Sequence, residues 1–206
     1  MHILLLGATG RVGSHILAQA LQEGHQVTAL VRSPEKIKSH HENLTIVQGN
    51  VLSQEELLRG IHGTEVVISA LNTDGTSTLS DSMPLLIEAM YSEGIKRIIA
   101  VGTAGILQSR TEPDKLRYQS SESRRRSTRA AEEHERVYTL LQQSSLDWTI
   151  VCPTYLPDGE RVGSYRVMPD FLPENGTEIS VADTAAFTYQ QLTDRQYIHK
   201  RVGIAY

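Results

Sequence analysis

The chain has a single cysteine, Cys152, among its 206 residues, so it has no internal disulfide framework. One cysteine fits a reducing compartment, and we expect the protein in the cytoplasm. Basic residues are not in excess either, since 20 Lys and Arg stand against 24 Asp and Glu, for a net charge of −4. Aromatic residues make up only 5% of the chain. This composition argues against nucleic acid and anionic membrane surfaces as partners.

Long apolar runs are also missing. The first run, Ile3–Leu6, is broken by Gly7, and no Lys or Arg precedes it, so it lacks the pattern of a signal peptide. No segment approaches the roughly 18 apolar residues of a membrane span. His40, His41 and His62 have no metal-ligand partners at suitable spacing, so no metal site is predicted.

What the chain does contain is an alternation of short apolar runs with longer helical patterns. The runs predict strands buried between two helical layers. Strands are predicted over Ile3–Leu6, Gln26–Val31, Thr45–Val47, Glu65–Ala70, Arg97–Val101 and Trp148–Cys152, and near Val202–Ala205. Helices are predicted over Val12–Glu23, Gln54–Arg59, Leu79–Ser92 and Thr128–Ser144, and near Val181–Leu192. The alternation predicts an α/β fold with a doubly wound, mostly parallel sheet in three layers.

Local signals refine this layout. Ser53 three residues before Glu56 is a capping-box pattern, and Gly24, Gly60 or Gly63, and Gly94 are predicted to end helices. The chain is predicted to be one domain over residues 1–206. Within it, residues 153–206, which are rich in Pro and Gly, contribute a small substrate-side cap and the last strand.

A glycine loop follows the first strand at once. In Gly7-Ala-Thr-Gly10-Arg-Val-Gly13, the first glycine permits a tight turn, the second lets backbone approach a phosphate, and the third lets the helix pack close to the sheet. Amides at the start of that helix then face a dinucleotide pyrophosphate. The loop predicts a Rossmann-type nucleotide site, whose contacts here are Gly7, Thr9, Gly10, Arg11, Val12 and Gly13.

The end of the second strand indicates which dinucleotide is bound. An NAD site usually has a carboxylate there for the ribose 2′-hydroxyl, whereas this strand ends in Arg32, followed by Lys36. An arginine can hold a 2′-phosphate through two hydrogen bonds and can stack on adenine. Arg11 can approach the same phosphate. We therefore predict NADP(H) in preference to NAD(H).

Several segments resemble the atypical short-chain dehydrogenase/reductases, and within them the NADPH-dependent flavin reductase/biliverdin reductase B family of the NmrA-like group. The segments are Gly7–Gly13, Leu30–Arg32, Gly49–Leu52, Val101–Ala104, Ser145–Pro153, Gly163–Tyr165 and Ile179–Asp183. The resemblance covers essentially the whole chain. It implies that Asn50 and Val51 lie against adenine, although the family usually has Asp-Val there. The other cofactor contacts that it implies are Leu71, Asn72, Thr103, Pro153 and Thr154.

The resemblance also bears on catalysis. The family has a serine after the threonine of the fifth strand and a histidine after the prolines of the sixth, where this chain has Ala104 and Tyr155. Reducing a flavin needs mainly proximity and orientation. The resemblance therefore implies a reductase that uses a flavin, quinone or biliverdin as a planar substrate. Its candidate catalytic residues are Thr103, Tyr155 and His134. Tyr155 is either an aromatic wall or a proton donor, and His134 matches a family histidine or is a solvated surface residue.

The sequence also bears on other classes of function. No tyrosine is followed four residues later by lysine, which disfavours alcohol oxidation and nucleotide-sugar epimerisation by the usual short-chain route. A dinucleotide-binding sensor of the NmrA-like type is the main alternative. No long apolar surface helix is evident, so a monomer is expected.

The polar stretch Leu107–Arg126 has no clear period and is long for a connection, as lids often are. It ends in the basic cluster Arg124, Arg125 and Arg126, close to Arg129. This cluster is either a solvated surface or an electropositive rim that attracts anionic substrates.

Overall fold

The apolar runs form one mostly parallel sheet in the computed structural model, which describes residues 1–123 and 127–206. In the described ranges its strands are β1 (His2–Leu6), β2 (Gln26–Val31), β3 (Leu44–Gln48), β4 (Val66–Ser69), β5 (Arg97–Val101), β6 (Asp147–Pro153), β7 (Arg166–Pro169) and β8 (Lys200–Ala205). Their order across the sheet is β3-β2-β1-β4-β5-β6-β8-β7, with β7 antiparallel to β8. The order β3-β2-β1-β4-β5-β6 is that of a Rossmann-type sheet, so the predicted fold class is confirmed.

Helices cover both faces of the sheet. They are α1 (Arg11–Gln22), α2 (Gln54–Ile61), α3 (Thr78–Ser92), α4 (Arg129–Gln143) and α5 (Val181–Gln190). Alternate side chains of β1 pack against different helical layers. Leu4 and Leu6 pack with α2, α3 and α4, whereas Ile3 and Leu5 pack with α1 and α5. Because successive side chains of a strand point to opposite faces, one apolar run contributes to two cores.

Helix ends agree with the local signals in part. Gly24, Gly63 and Gly94 adopt positive φ angles just after α1, α2 and α3, so Gly63 rather than Gly60 follows the second helix. The capping box at Ser53 is half formed. Ser53 Oγ accepts from the amide of Glu56 at 3.4 Å, but the Glu56 carboxylate accepts from the amide of Asn50 at 2.6 Å.

The C-terminal third contributes more to the sheet than the sequence predicts. Strand β7 is not predicted individually, because its pairing partner, β8, is distant in sequence: Arg166 pairs with Ala205, and Pro169 with Val202. Between the elements, residues 154–165 and 170–180 form turns, joined by a bridge between Tyr155 and Glu178. The predicted substrate-side cap within residues 153–206 stays a prediction.

The polar stretch after β5 is irregular but organised by one carboxylate. Glu122 accepts hydrogen bonds from the Ser109 hydroxyl at 2.7 Å, from the amides of Arg110 and Thr111, and from Arg117 Nε at 3.0 Å. Burial opposes its ionisation, but these bonds outweigh burial and lower the pKa of Glu122 to about 2. The basic cluster at 124–126 lies outside the described residues.

Within the described ranges, no helix is long and apolar enough to cross a membrane. In the same ranges, no group of three or more His, Cys, Asp or Glu side chains is placed to hold a metal ion.

Candidate functional site

The glycine loop joins β1 to α1 at the carboxyl edge of the sheet. Gly7 has a φ of +78°, and a Cβ on it would lie 2.4 Å from the carbonyl oxygen of Ala70. A Cβ on Gly13 would lie 2.1 Å from the carbonyl oxygen of Gly7. Gly7 therefore requires glycine because of its positive φ and the backbone that follows β4, and Gly13 requires it because the first turn of α1 packs directly on the loop. The free amides at this helix start fit the pyrophosphate of a dinucleotide.

The predicted adenosine end lies beside the glycine loop, where β2 and β3 end. Arg32 and Asn50 border one open cavity of about 370 Å³, together with Gln48, Gly49 and Glu56. The Asn50 side chain accepts from the amide of Leu52 at 3.0 Å, which holds the turn after β3. Val51 is buried in the core beneath this turn, and Lys36 is exposed on the short 3₁₀ turn Pro34–Lys36.

Arg11 reaches away from the adenosine end. Its Nη1 donates to the carbonyl oxygen of Leu156 at 2.9 Å and to Asp158 Oδ1 at 3.0 Å. These bonds tie the start of α1 to the segment that follows β6. The structure thus brings Arg11 to the C-terminal part of the chain, and its predicted contact with a 2′-phosphate stays a prediction.

A second pocket, of about 400 Å³, opens where β5 and β6 end. Thr103 follows β5, and Thr154 and Tyr155 follow β6, so the structure brings these three predicted residues together. The side chain of Thr103 accepts from the amide of Gly105 at 3.3 Å. Tyr155 is 61% exposed, which leaves its ring available to a ligand. The remaining lining residues are Ala104, Gly105, Arg117, Tyr118, Glu122, Ser123, Ser127, Thr128, Ala130, Ala131 and Thr177.

Two predicted contacts flank this path without lining the pocket. Pro153 is buried at the end of β6, where it pairs in register with Ile204 of β8. Leu71 is half-buried against the core after β4, and the side chain of the neighbouring exposed Asn72 accepts from the amide of Thr73 at 2.9 Å.

His134 is buried, so its interpretation as a solvated surface histidine is wrong. It shares one face of α4 with Ala131, Val137 and Leu141, at the three- and four-residue spacing of a packed stripe. Burial lowers the pKa of His134 to about 4, so the ring is neutral near pH 7. It lies one turn along α4 from Ala131, which lines the pocket, and its catalytic role stays a prediction.

One wall of the pocket was missed by sequence reasoning. Tyr118 lines it, and its hydroxyl donates to Glu135 of α4 and accepts from Gln119 Nε2 at 3.1 Å. Burial, together with the hydrogen bond to Glu135, raises the pKa of Tyr118. A single tyrosine in a polar, aperiodic stretch was the signal available, but only the fold shows that it meets α4.

The comparisons with known proteins place the chain in a family. A family model described as NAD(P)H-binding matches residues 7–195. The chain belongs to this NAD(P)H-binding family. The match spans the glycine loop, both open cavities and α5, so it covers the whole site described above. The nucleotide-binding part of the predicted resemblance is thereby confirmed.

Individual relatives match over the full length. The protein YwnB of Bacillus subtilis is 27% identical over 212 residues, which cover 99% of this chain and 98% of that protein. A candidate epimerase of Bacteroides thetaiotaomicron has a TM-score of 0.85 at 31% identity, over 100% of this chain and 96% of that one. A candidate NADH-flavin reductase of Streptococcus pneumoniae has a TM-score of 0.82 at 26% identity, over 100% of this chain and 99% of that one. The chain spans about a third of the length of several other curated relatives.

Proposed function

We propose that this protein is an NADPH-dependent reductase of a flavin or a similarly planar acceptor, such as a quinone or biliverdin. The observation that carries the proposal is the 400 Å³ pocket at the ends of β5 and β6, on the same sheet edge as the glycine loop. Its volume is within the usual range for small-ligand sites, and an open sheet binds its ligands at this edge. The likeness to a candidate NADH-flavin reductase supports the choice of acceptor.

The residues of the chain have distinct tasks in this proposal. The amides at the start of α1 bind the pyrophosphate, and the tight packing at Gly7 and Gly13 holds them in place. A dinucleotide held there would supply a hydride from its nicotinamide. Thr103 and Thr154 line the pocket from the ends of β5 and β6 and orient the two ring systems. Tyr155 covers the acceptor with its exposed ring. Solvent supplies the proton, so the reaction depends on positioning rather than on a dedicated acid.

Arg32 is proposed to select NADPH by binding its 2′-phosphate. A charged, two-point hydrogen bond of this kind is worth about 1.5–3 kcal/mol, or roughly a 10- to 100-fold change in Kd. Arg32→Ala is therefore expected to raise the Kd of NADPH by about that factor and to leave the Kd of NADH almost unchanged. An equal rise in the Kd of NADPH and of NADH would contradict this role of Arg32.

The reductase itself is tested by mixing the purified protein with NADPH and FMN and following absorbance at the nicotinamide band. We expect oxidation of NADPH that scales with protein concentration. FAD, biliverdin and a simple quinone are tested in parallel. Binding of NADPH without turnover of any of the four acceptors would refute the proposal.

That refuting outcome is the result expected of the second candidate function, an NADP(H)-binding sensor of the NmrA-like type. The observation that favours a sensor is Ala104, which is buried and brings no hydroxyl to the pocket that it lines.

Tyr155 is tested by two substitutions. Tyr155→Phe keeps the ring and removes the hydroxyl, whereas Tyr155→Ala removes both. If the ring covers the acceptor, Phe keeps kcat/KM within about twofold and Ala lowers it roughly tenfold, since aromatic stacking is worth about 0.5–1.5 kcal/mol beyond the buried area. If Tyr155→Phe and Tyr155→Ala lower kcat/KM equally, the hydroxyl rather than the ring acts on the acceptor.

A further inference from the structure

A carboxylate faces Arg32 across the cofactor cleft. Arg32 Nη1 lies 3.8 Å from Asp74 Oδ2, and the two side chains are 71% and 34% exposed. Arg32 follows β2 and Asp74 follows β4. Because β1 lies between these two strands, the pair spans roughly 10 Å of sheet edge, directly over the strand that leads into the glycine loop.

The two partners are held unequally. Asp74 is fixed within its own turn, since its Oδ1 accepts from the amide of Thr76 at 3.2 Å and from the Thr76 hydroxyl at 2.5 Å. Its other oxygen, Oδ2, faces the guanidinium. Arg32 has a long, mostly exposed side chain. A ligand phosphate can therefore draw Arg32 away while Asp74 stays in place.

A second carboxylate, that of Glu56, lies near Arg32 in the cavity that Arg32 borders. Glu56 lines it together with Arg32, and its Oε2 is held by the amide of Asn50. The region around Arg32 is therefore not strongly electropositive. A 2′-phosphate that enters it gains one guanidinium but has to compete with a fixed aspartate for that group.

We propose that Asp74 is a specificity-determining residue: it pairs with Arg32 in the unliganded protein and thereby reduces the preference for NADPH over NADH. This inference rests on the proposed function, in which Arg32 binds the 2′-phosphate. NADH has no such phosphate, so it does not compete for Arg32, and its affinity is independent of the pair. Asp74 thus narrows the difference between the two affinities by weakening the binding of NADPH alone.

The test measures the Kd of NADPH and of NADH, by nicotinamide fluorescence at low ionic strength, for the wild type and Asp74→Asn. An exposed ion pair is worth up to about fivefold in an equilibrium constant. Asp74→Asn is expected to lower the Kd of NADPH about two- to fivefold and to leave the Kd of NADH unchanged. Asp114→Asn removes the same charge from an exposed site in the 107–123 stretch and serves as the matched control, with no change in the ratio of the two constants.

The double variant separates competition for Arg32 from simple repulsion between Asp74 and the phosphate. When Arg32 is already replaced by alanine, Asp74→Asn should not change the Kd of NADPH. An effect that persists there overturns the proposal, as does equal tightening of both dinucleotides.

The single variant Arg32→Ala tells the two proposals apart. If it weakens NADPH and NADH equally, the assignment of Arg32 in the proposed function fails, and the role of Asp74 fails with it. If Arg32→Ala is selective but Asp74→Asn leaves the ratio unchanged, the inference about Asp74 alone is wrong.

Discussion

Replacing Gly13 with alanine tests the close packing of the first turn of α1 on the glycine loop. The new Cβ would lie 2.1 Å from the carbonyl oxygen of Gly7 and 2.8 Å from its carbonyl carbon. Both are backbone atoms, so no side-chain rotation relieves the contact. Overpacking costs about 1–3 kcal/mol, and a backbone clash belongs at the upper end, whereas alanine gains at most about 1 kcal/mol in helix propensity. We expect a net loss of roughly 2 kcal/mol in the free energy of unfolding.

The matched control is Gly60→Ala, which also lies within a helix. There the Cβ would meet Leu30 Cβ at 3.5 Å and Leu4 Cδ1 at 3.6 Å, which is ordinary van der Waals contact. The propensity gain is available at both sites, so the difference between the variants isolates the clash. For a chain of this size, a loss of 2 kcal/mol lowers Tm by about 4–8 °C, while Gly60→Ala is expected to leave Tm unchanged or to raise it slightly.

Two assays decide the question. Thermal unfolding by circular dichroism gives Tm, and nicotinamide fluorescence gives the Kd of NADPH. Relieving the clash moves the start of α1 away from the loop, so Gly13→Ala should also raise this Kd roughly tenfold, the worth of one phosphate hydrogen bond. If Gly13→Ala behaves like Gly60→Ala in both assays, the steric reasoning is wrong.

Three further predictions concern titratable groups that are buried or partly buried. Burial opposes ionisation of Asp183, but hydrogen bonds from Tyr206 and two backbone amides outweigh it and keep its pKa below the ordinary value. Its stabilisation is therefore present above about pH 4 and is lost as pH falls through the folded-state pKa. Asp183→Asn should lower the free energy of unfolding, measured with urea at pH 7, by about 2–3 kcal/mol. The difference between variant and wild type should become smaller at acid pH, and a constant difference would contradict the prediction. Glu122→Gln removes the ion pair with Arg117. It should increase the rate of hydrogen exchange of the 109–117 amides roughly tenfold, with little change in Tm. An unchanged exchange rate would show that Glu122 does not organise the stretch. Burial raises the pKa of Cys152 to about 12, so iodoacetamide at pH 8 should modify it in guanidinium and not in the native protein.

Local patterns predicted the first half of the fold well. Strand β1 and helix α1 are encoded by an apolar run, a glycine turn and an amphipathic repeat within 22 residues, so neighbouring residues suffice to specify them. The same is true of Gly7 and Gly13, whose spacing already implies a close approach of helix to strand. The corrections lie where a partner is distant in sequence. Strand β7 depends on β8, and the burial of His134 depends on which face of α4 meets the core.

The sequence by itself determined the class of fold, the position of the dinucleotide loop and the arginine at the end of β2. Each of these follows from residues within one turn or one strand, where backbone geometry and apolar periodicity act locally. Only the tertiary structure decided the partners of charged side chains that lie far apart in sequence: Arg32 with Asp74, and Arg11 with Asp158. Such pairings depend on strand order and loop path, because Coulomb attraction acts through space and connects residues that no local pattern relates.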